Sequence, residues 1–124
     1  MVEDVIDRLR CLGYEYRYED REAVEYSVLM AEEYVLNSCN LSIIPEGLKT
    51  LAVDFACGEF LKAMRDTGTL KGFDINAAVR MVKEGDVSVT YSDGDGGREN
   101  FDSLIKYLIK GREGELASYR VLKW

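Results

Sequence analysis

The side chains best suited to chemistry fall into several sets, and every set lacks a member. Asp93-Gly-Asp-Gly-Gly97 starts with the acid spacing of a calcium loop, yet the third acidic position is missing and no glutamate stands at the twelfth. Gly94, Gly96 and Gly97 do not complete G-x-G-x-x-G, and no Lys-Ser or Lys-Thr follows to hold a nucleotide phosphate. Glu32 with Glu33, and Glu59 with Asp66, are candidate acid pairs, but solvated helix faces account for them better. Cys11, Cys39 and Cys57 form no C-x-x-C pair and read as small reduced core residues. There is no histidine to serve as a base, which removes every Ser-His-Asp arrangement and most zinc sites. With no nucleophile, base and oxyanion donor to assemble, the sequence predicts a non-enzyme without catalytic, metal or cofactor residues.

Composition bounds what remains. The 124 residues suffice for one domain, and a chain this size buries about two-thirds of its unfolded surface without needing metals or disulfides. Apolar content of 47% with charge spread throughout predicts a globular protein. No apolar run approaches the ~20 residues of a membrane span. The start, MVEDVIDRLR, is acidic and amphipathic where a signal peptide is basic and then apolar, so a cytoplasmic protein is expected. Charge is uneven: residues 98–124 hold six basic against four acidic side chains, a net +2, leaving −9 of the total −7 on the other 97 residues. An acidic body is a poor grip for phosphates, so tight DNA binding is not expected, although DNA sliding past an acidic surface is compatible with it.

The elements follow from periodicity. Val2, Val5, Ile6, Leu9 and Leu12 predict an amphipathic helix over 2–12, stopped by Gly13. Tyr14-Glu-Tyr-Arg-Tyr-Glu-Asp20 alternates rings and charges; a strand fits, but a loop with its rings laid back on the helices is preferred for want of a partner strand. Asp20 is expected to cap a second helix whose core face carries Val24, Val28, Ala31, Tyr34 with Val35, and Ser38, widened by Leu29 and Met30. Asn37-Ser-Cys-Asn40 ends it, and Leu41 to Ile44 link to a third helix begun by Pro45 and running to Asp66. Apolar residues all around that helix mark it as buried on more than one side, with Gly58 admitting a close neighbour.

Asp74 to Val82 fits either a helix or one arm of a hairpin. A helical start at Asp74 followed by a short hairpin, with Glu84-Gly85-Asp86 as its loop, pairs Val89 with Met81 and Tyr91 with Val79. Ser92 to Gly97 then form a tether. Phe101, Leu104, Ile105, Leu108 and Ile109 predict a fourth helix capped by Asn100 or Asp102 and fraying near Gly111 and Gly114. The chain closes on the aromatic-basic tail Tyr119-Arg-Val-Leu-Lys-Trp124, which is rich in the residue types of binding hot spots. The expected fold is mainly α: a small bundle of about four helices with one short β-hairpin and a flexible C-terminal tail. It forms a single domain, with a helical body over 1–73, hairpin and linker over 74–97, and helix and tail over 98–124.

The whole chain resembles the head–tail connector (head-completion adaptor) proteins of long-tailed bacteriophages and prophages. The likeness rests on Arg8-Leu-Arg-Cys-Leu-Gly-Tyr14, on Asn37-Ser-Cys-Asn40 followed by Ile44-Pro-Glu-Gly-Leu48, and on Val53-Asp54 and Gly58-Glu-Phe-Leu61. It continues through Gly68-x-Leu-x-Gly-Phe-Asp74 and Glu84-Gly-Asp-Val-Ser-Val89 to Tyr119-Arg-Val-Leu-Lys-Trp124. The resemblance implies a structural virion protein at the capsid–tail junction, assembled from the host cytoplasm, with no catalytic residues. About a dozen copies would form a ring beneath the portal protein, extend the DNA channel without specific DNA binding, and meet a tail or stopper protein. It assigns ring contacts to Val87, Val89 and Tyr91, and portal contacts to Arg120, Val121, Leu122, Lys123 and Trp124. The runner-up function is a small acidic helical regulatory module that binds a single protein partner.

Overall fold

A computed structural model describes residues 1–67 and 97–120. Among these, four α-helices form a bundle: α1 (Val2–Cys11), α2 (Arg21–Cys39), α3 (Lys49–Asp66) and α4 (Gly97–Lys110). Short 3₁₀ turns cover Tyr18–Asp20, Glu46–Leu48 and Glu113–Tyr119. No strand occurs among the described residues. The expected hairpin and the helix from Asp74 lie outside them.

α1 buries Val5, Ile6 and Leu9, the stripe its spacing predicts. It stops where expected, and the device is visible. Gly13 has φ 92°, its N–H donates to the Arg10 carbonyl at 3.0 Å, and the Tyr14 N–H reaches back to Leu9 at 2.9 Å. These two bonds satisfy carbonyls that the helix end leaves open, and glycine adopts the left-handed backbone without a Cβ clash. α2 ends in a related way at Asn40, the one described non-glycine residue with positive φ, at 56°. The Leu41 N–H then donates to the Leu36 carbonyl at 3.0 Å.

α3 is the axis of the bundle. It packs against α1, α2 and α4, and it buries Leu51, Ala52, Phe55, Ala56, Cys57, Gly58, Phe60 and Leu61. Gly58 sits where α4 comes closest: a Cβ there would lie 2.7 Å from Ile109 Cγ1 and 3.0 Å from Leu108 Cβ. The close approach expected of this glycine is therefore real. Pro45 is not the first residue of the helix, however. It is extended (φ −63°, ψ 150°), and the Glu46–Leu48 turn intervenes before α3 begins at Lys49.

Two apolar clusters result. The larger joins Leu9, Leu12, Tyr14, Val24, Phe60, Phe101 and Leu104 from all four helices and the loop after α1. Each large side chain fully buried there contributes about 1.5–3 kcal/mol. The smaller holds Val35, Cys39, Leu48, Leu51, Ala52 and Leu116. Leu116 comes from the 3₁₀ turn after α4, where it is the only aliphatic side chain larger than alanine between Gly111 and Arg120.

Three expectations need correction. Leu29 does not widen the core face of α2; it is 53% exposed. At about 100° per residue it stands roughly 200° around the helix from buried Ala31. α4 starts at Gly97, before the expected cap at Asn100 or Asp102, and Asp102 instead pairs with Arg65 across the α3–α4 seam. Asp20 directly precedes α2, but its side chain makes no capping bond to that helix. Its Oδ2 accepts the Tyr14 hydroxyl at 2.9 Å and the Arg17 N–H at 3.0 Å.

Candidate functional site

The residues that sequence analysis singled out for contact fall mostly outside the described structure: Val87, Val89 and Tyr91, and likewise Val121, Leu122, Lys123 and Trp124. Arg120 is described. It is exposed, and its Nε donates to the Ser38 carbonyl at the end of α2 over 3.0 Å. Tyr119, just before it, lies directly on Gly47, whose missing side chain makes the room. Tyr119 and Arg120 are thus fixed to the body, one by its ring on Gly47 and the other by its bond to Ser38.

The most elaborate polar arrangement was not anticipated. Asp54, on α3 and nearly buried, accepts from Arg8 Nε at 3.0 Å on Oδ1 and faces Arg112 Nη1 at 3.8 Å on Oδ2. Arg112 is itself oriented by Glu115, through Nε to Oε2 at 2.6 Å and Nη2 to Oε1 at 3.0 Å. One carboxylate therefore joins α1, α3 and the segment after α4. Desolvation pushes the Asp54 carboxyl above its ordinary range, against the pull of Arg8 and Arg112. The bond from Arg112 holds Glu115 below its ordinary range. A cleft of about 780 Å³ opens beside this cluster, with Asp7, Cys11, Lys49, Val53 and Tyr107 on its walls.

Charge in that cleft is mutually satisfied. Asp54 is flanked by two guanidiniums, and no histidine is available to shuttle protons. This is the chemistry of a clamp between elements. The signal that could have revealed it was weak: Arg8 and Asp54 each sit one position off an apolar stripe, a place where a charged residue can reach between two helices.

The cysteines divide. Cys39 and Cys57 are buried, and their thiols donate to the Leu116 and Val5 carbonyls at 3.4 and 3.7 Å. Burial pushes the Cys57 thiol up, so it stays protonated and inert. Cys11 departs from expectation: it is exposed at the end of α1, on the rim of the cleft. Among the described residues no three His, Cys, Asp or Glu side chains converge as metal ligands. Nor is any helix there long and apolar enough to cross a membrane.

The chain matches no family model, curated protein or solved structure. α2 presents an outer face that no other described element covers, with Tyr26 64% and Leu29 53% exposed, preceded by Tyr18 at 86%. The partly exposed Tyr34, by contrast, stacks on Phe55 at 4.4 Å and belongs to the body.

Proposed function

We propose that this protein is a structural subunit of a phage or prophage virion, a head–tail connector that forms a ring beneath the portal. In this reading it extends the DNA channel and joins the capsid vertex to a tail or stopper protein. The observation that carries the proposal is where the connector-like motifs fall in the fold. Leu12-Gly13-Tyr14 is the stop of α1, Asn40 the stop of α2, and Gly47 the seat of Tyr119. Asp54 is the hub of the ionic clamp, and Gly58 the contact point of α3 and α4. Motifs spread over the sequence thus converge on the joints of one small bundle, as expected of a shared architecture.

The surface supports the same reading. A solvated face bearing Tyr26 and Leu29 on an acidic body suits contact with a protein more than with nucleic acid. Under the proposal, a β-hairpin carrying Val87, Val89 and Tyr91 makes ring contacts, and Arg120 to Trp124 reach the portal from the anchor at Ser38. The isolated chain is then largely monomeric, because copies of an acidic body repel one another until specific contacts offset the repulsion.

Negative-stain imaging of the protein mixed with its cognate portal tests this directly. Rings stacked on the portal are the expected result. A mixture in which the two proteins never associate refutes the connector reading and leaves a regulatory binding module as the better account. Removal of residues 119–124 is expected to abolish co-sedimentation with portal rings.

A further inference from the structure

α2 carries an ordered stripe on its outer face. Glu22, Tyr26, Leu29 and Glu33 follow one another at four, three and four residues, and all four side chains are exposed. That spacing keeps them within about 60° of one another on the helix surface. Among the described residues, neither Glu22 nor Glu33 forms an ion pair, although Glu25 beside them is engaged by Arg21. The stripe is thus two free carboxylates bracketing an aromatic and an aliphatic group.

α4 carries the counterpart. Lys106 and Lys110 stand one turn apart on its exposed side, and neither has an acidic partner among the described residues. Asp102, the next residue of the same row, is already paired with Arg65. The two helices both rest on α3 without packing extensively on each other, so the acidic and the basic rows are separate surfaces.

We infer that the α2 stripe of one copy docks on the Lys106–Lys110 row of a second copy, giving a head-to-tail contact between subunits. This deepens the proposed function and rests on it. A closed ring needs two unlike, complementary faces on each subunit, because an interface joining like patches stops at a dimer. Docking α2 on α2 would place unpaired carboxylates against each other, whereas α2 on α4 neutralises both rows. Tyr26 and Leu29 supply the apolar centre, and the charges form a rim that selects register and orientation.

Two charge-reversed proteins of full length test the contact: E22K/E33K and K106E/K110E, each checked by circular dichroism for an unchanged melt. Their self-association is measured by analytical ultracentrifugation beside the wild type, alone and on portal. Each variant is expected to associate roughly ten-fold more weakly than wild type. An equimolar mixture of the two restores assembly, since each supplies the face that the other has lost. Wild-type association falls as salt rises from about 0.05 M to about 0.5 M. Carbodiimide cross-linking of the wild type is expected to join Lys106 or Lys110 to Glu22 or Glu33 between chains.

Variants that assemble on portal like the wild type overturn this surface and leave the connector reading intact. Failure of the mixture to recover overturns the head-to-tail geometry. If E22K/E33K loses the portal while K106E/K110E keeps it, the stripe serves the portal and not a sibling. A wild type that forms no assembly alone or with portal overturns both the contact and the ring.

Discussion

Arg8 on α1 donates through Nε to Oδ1 of Asp54 on α3 at 3.0 Å, and the other oxygen of the same carboxylate faces Arg112 beyond α4. Three segments distant in sequence therefore share one anion. Such a cluster is sensitive to loss of its centre, because the partly buried Arg8 guanidinium then loses its carboxylate and Arg112 keeps only Glu115. Asp54→Ala is expected to lower stability by about 2 kcal/mol, read from urea unfolding. Arg8→Met combined with Asp54→Leu is expected to recover part of the loss.

The same carboxyl leaves a signature in pH. Its folded-state value lies above the ordinary 3.8, so in the window between the two the folded protein binds more protons than the unfolded chain. Stability contributed through Asp54 falls as pH rises through that window and is flat above it. Relative to Asp54→Asn, which does not titrate, the wild type is expected to gain stability as pH is lowered through the window. Chemical unfolding of both proteins across the acid range checks this, and a constant difference would refute it.

The Tyr14 hydroxyl is bound to buried Asp20, and its ring meets Phe60 edge-on at 5.2 Å. Tyr14→Phe keeps the ring and removes the donor, with an expected loss of about 1 kcal/mol. Burial and the neighbouring Asp20 carboxylate push the phenol above its ordinary value of 10.0. The wild type is therefore expected to lose stability as pH climbs past 10, and Tyr14→Phe to lose less over the same interval.

Gly58→Ala poses helix propensity against packing. Alanine favours a helix by about 1 kcal/mol over glycine. The new methyl, however, would stand 2.7 Å from Ile109 Cγ1, and overpacking of this kind costs about 1–3 kcal/mol. A lower melting temperature is expected, with Ile109→Ala in the same protein relieving the clash. A higher melting temperature for Gly58→Ala alone would show that α4 yields freely.

Tyr119 covers Gly47 so closely that any side chain at position 47 must displace the ring. Gly47→Ala is expected to raise hydrogen exchange across residues 113–120 while leaving α1 and α2 protected. Tyr119→Ala should give the same pattern by emptying the seat from the other side.

The thiols offer a quick test of the burial pattern. Cys11 is exposed, whereas Cys39 and Cys57 are buried. One of the three is expected to react with a thiol reagent in the native protein, and all three only after unfolding. Rapid labelling of two or three in the native state would contradict the packing of α2 or α3.

Much of the fold was legible because helical periodicity is a local property. Val5, Ile6 and Leu9 repeat with the turn of a helix whatever they pack against, and Gly13 and Asn40 stop helices through their own backbone freedom. The same local logic misplaced Leu29, since apolarity alone does not say which side of a cylinder meets the core. It also gave Asp20 the role of a cap, when Tyr14 offers the buried carboxylate a better donor. Leu116 carried no signal, because a lone leucine between Glu115 and Ala117 has no period to display.

The candidate site divides along the same line. The order of apolar, acidic and basic residues determined that the described residues fold mainly as helices, that α3 lies innermost, and that the body is acidic with a basic C-terminal part. Only the tertiary structure decided that Arg8 meets Asp54, 46 positions away, that Tyr119 lands on Gly47, and that Asp102 is taken up by Arg65 while Lys106 and Lys110 find no acidic partner among the described residues. The physical reason is range. Backbone preference and hydrophobic period act between neighbours in sequence, whereas ion pairs and close packing join groups that only the completed bundle brings together.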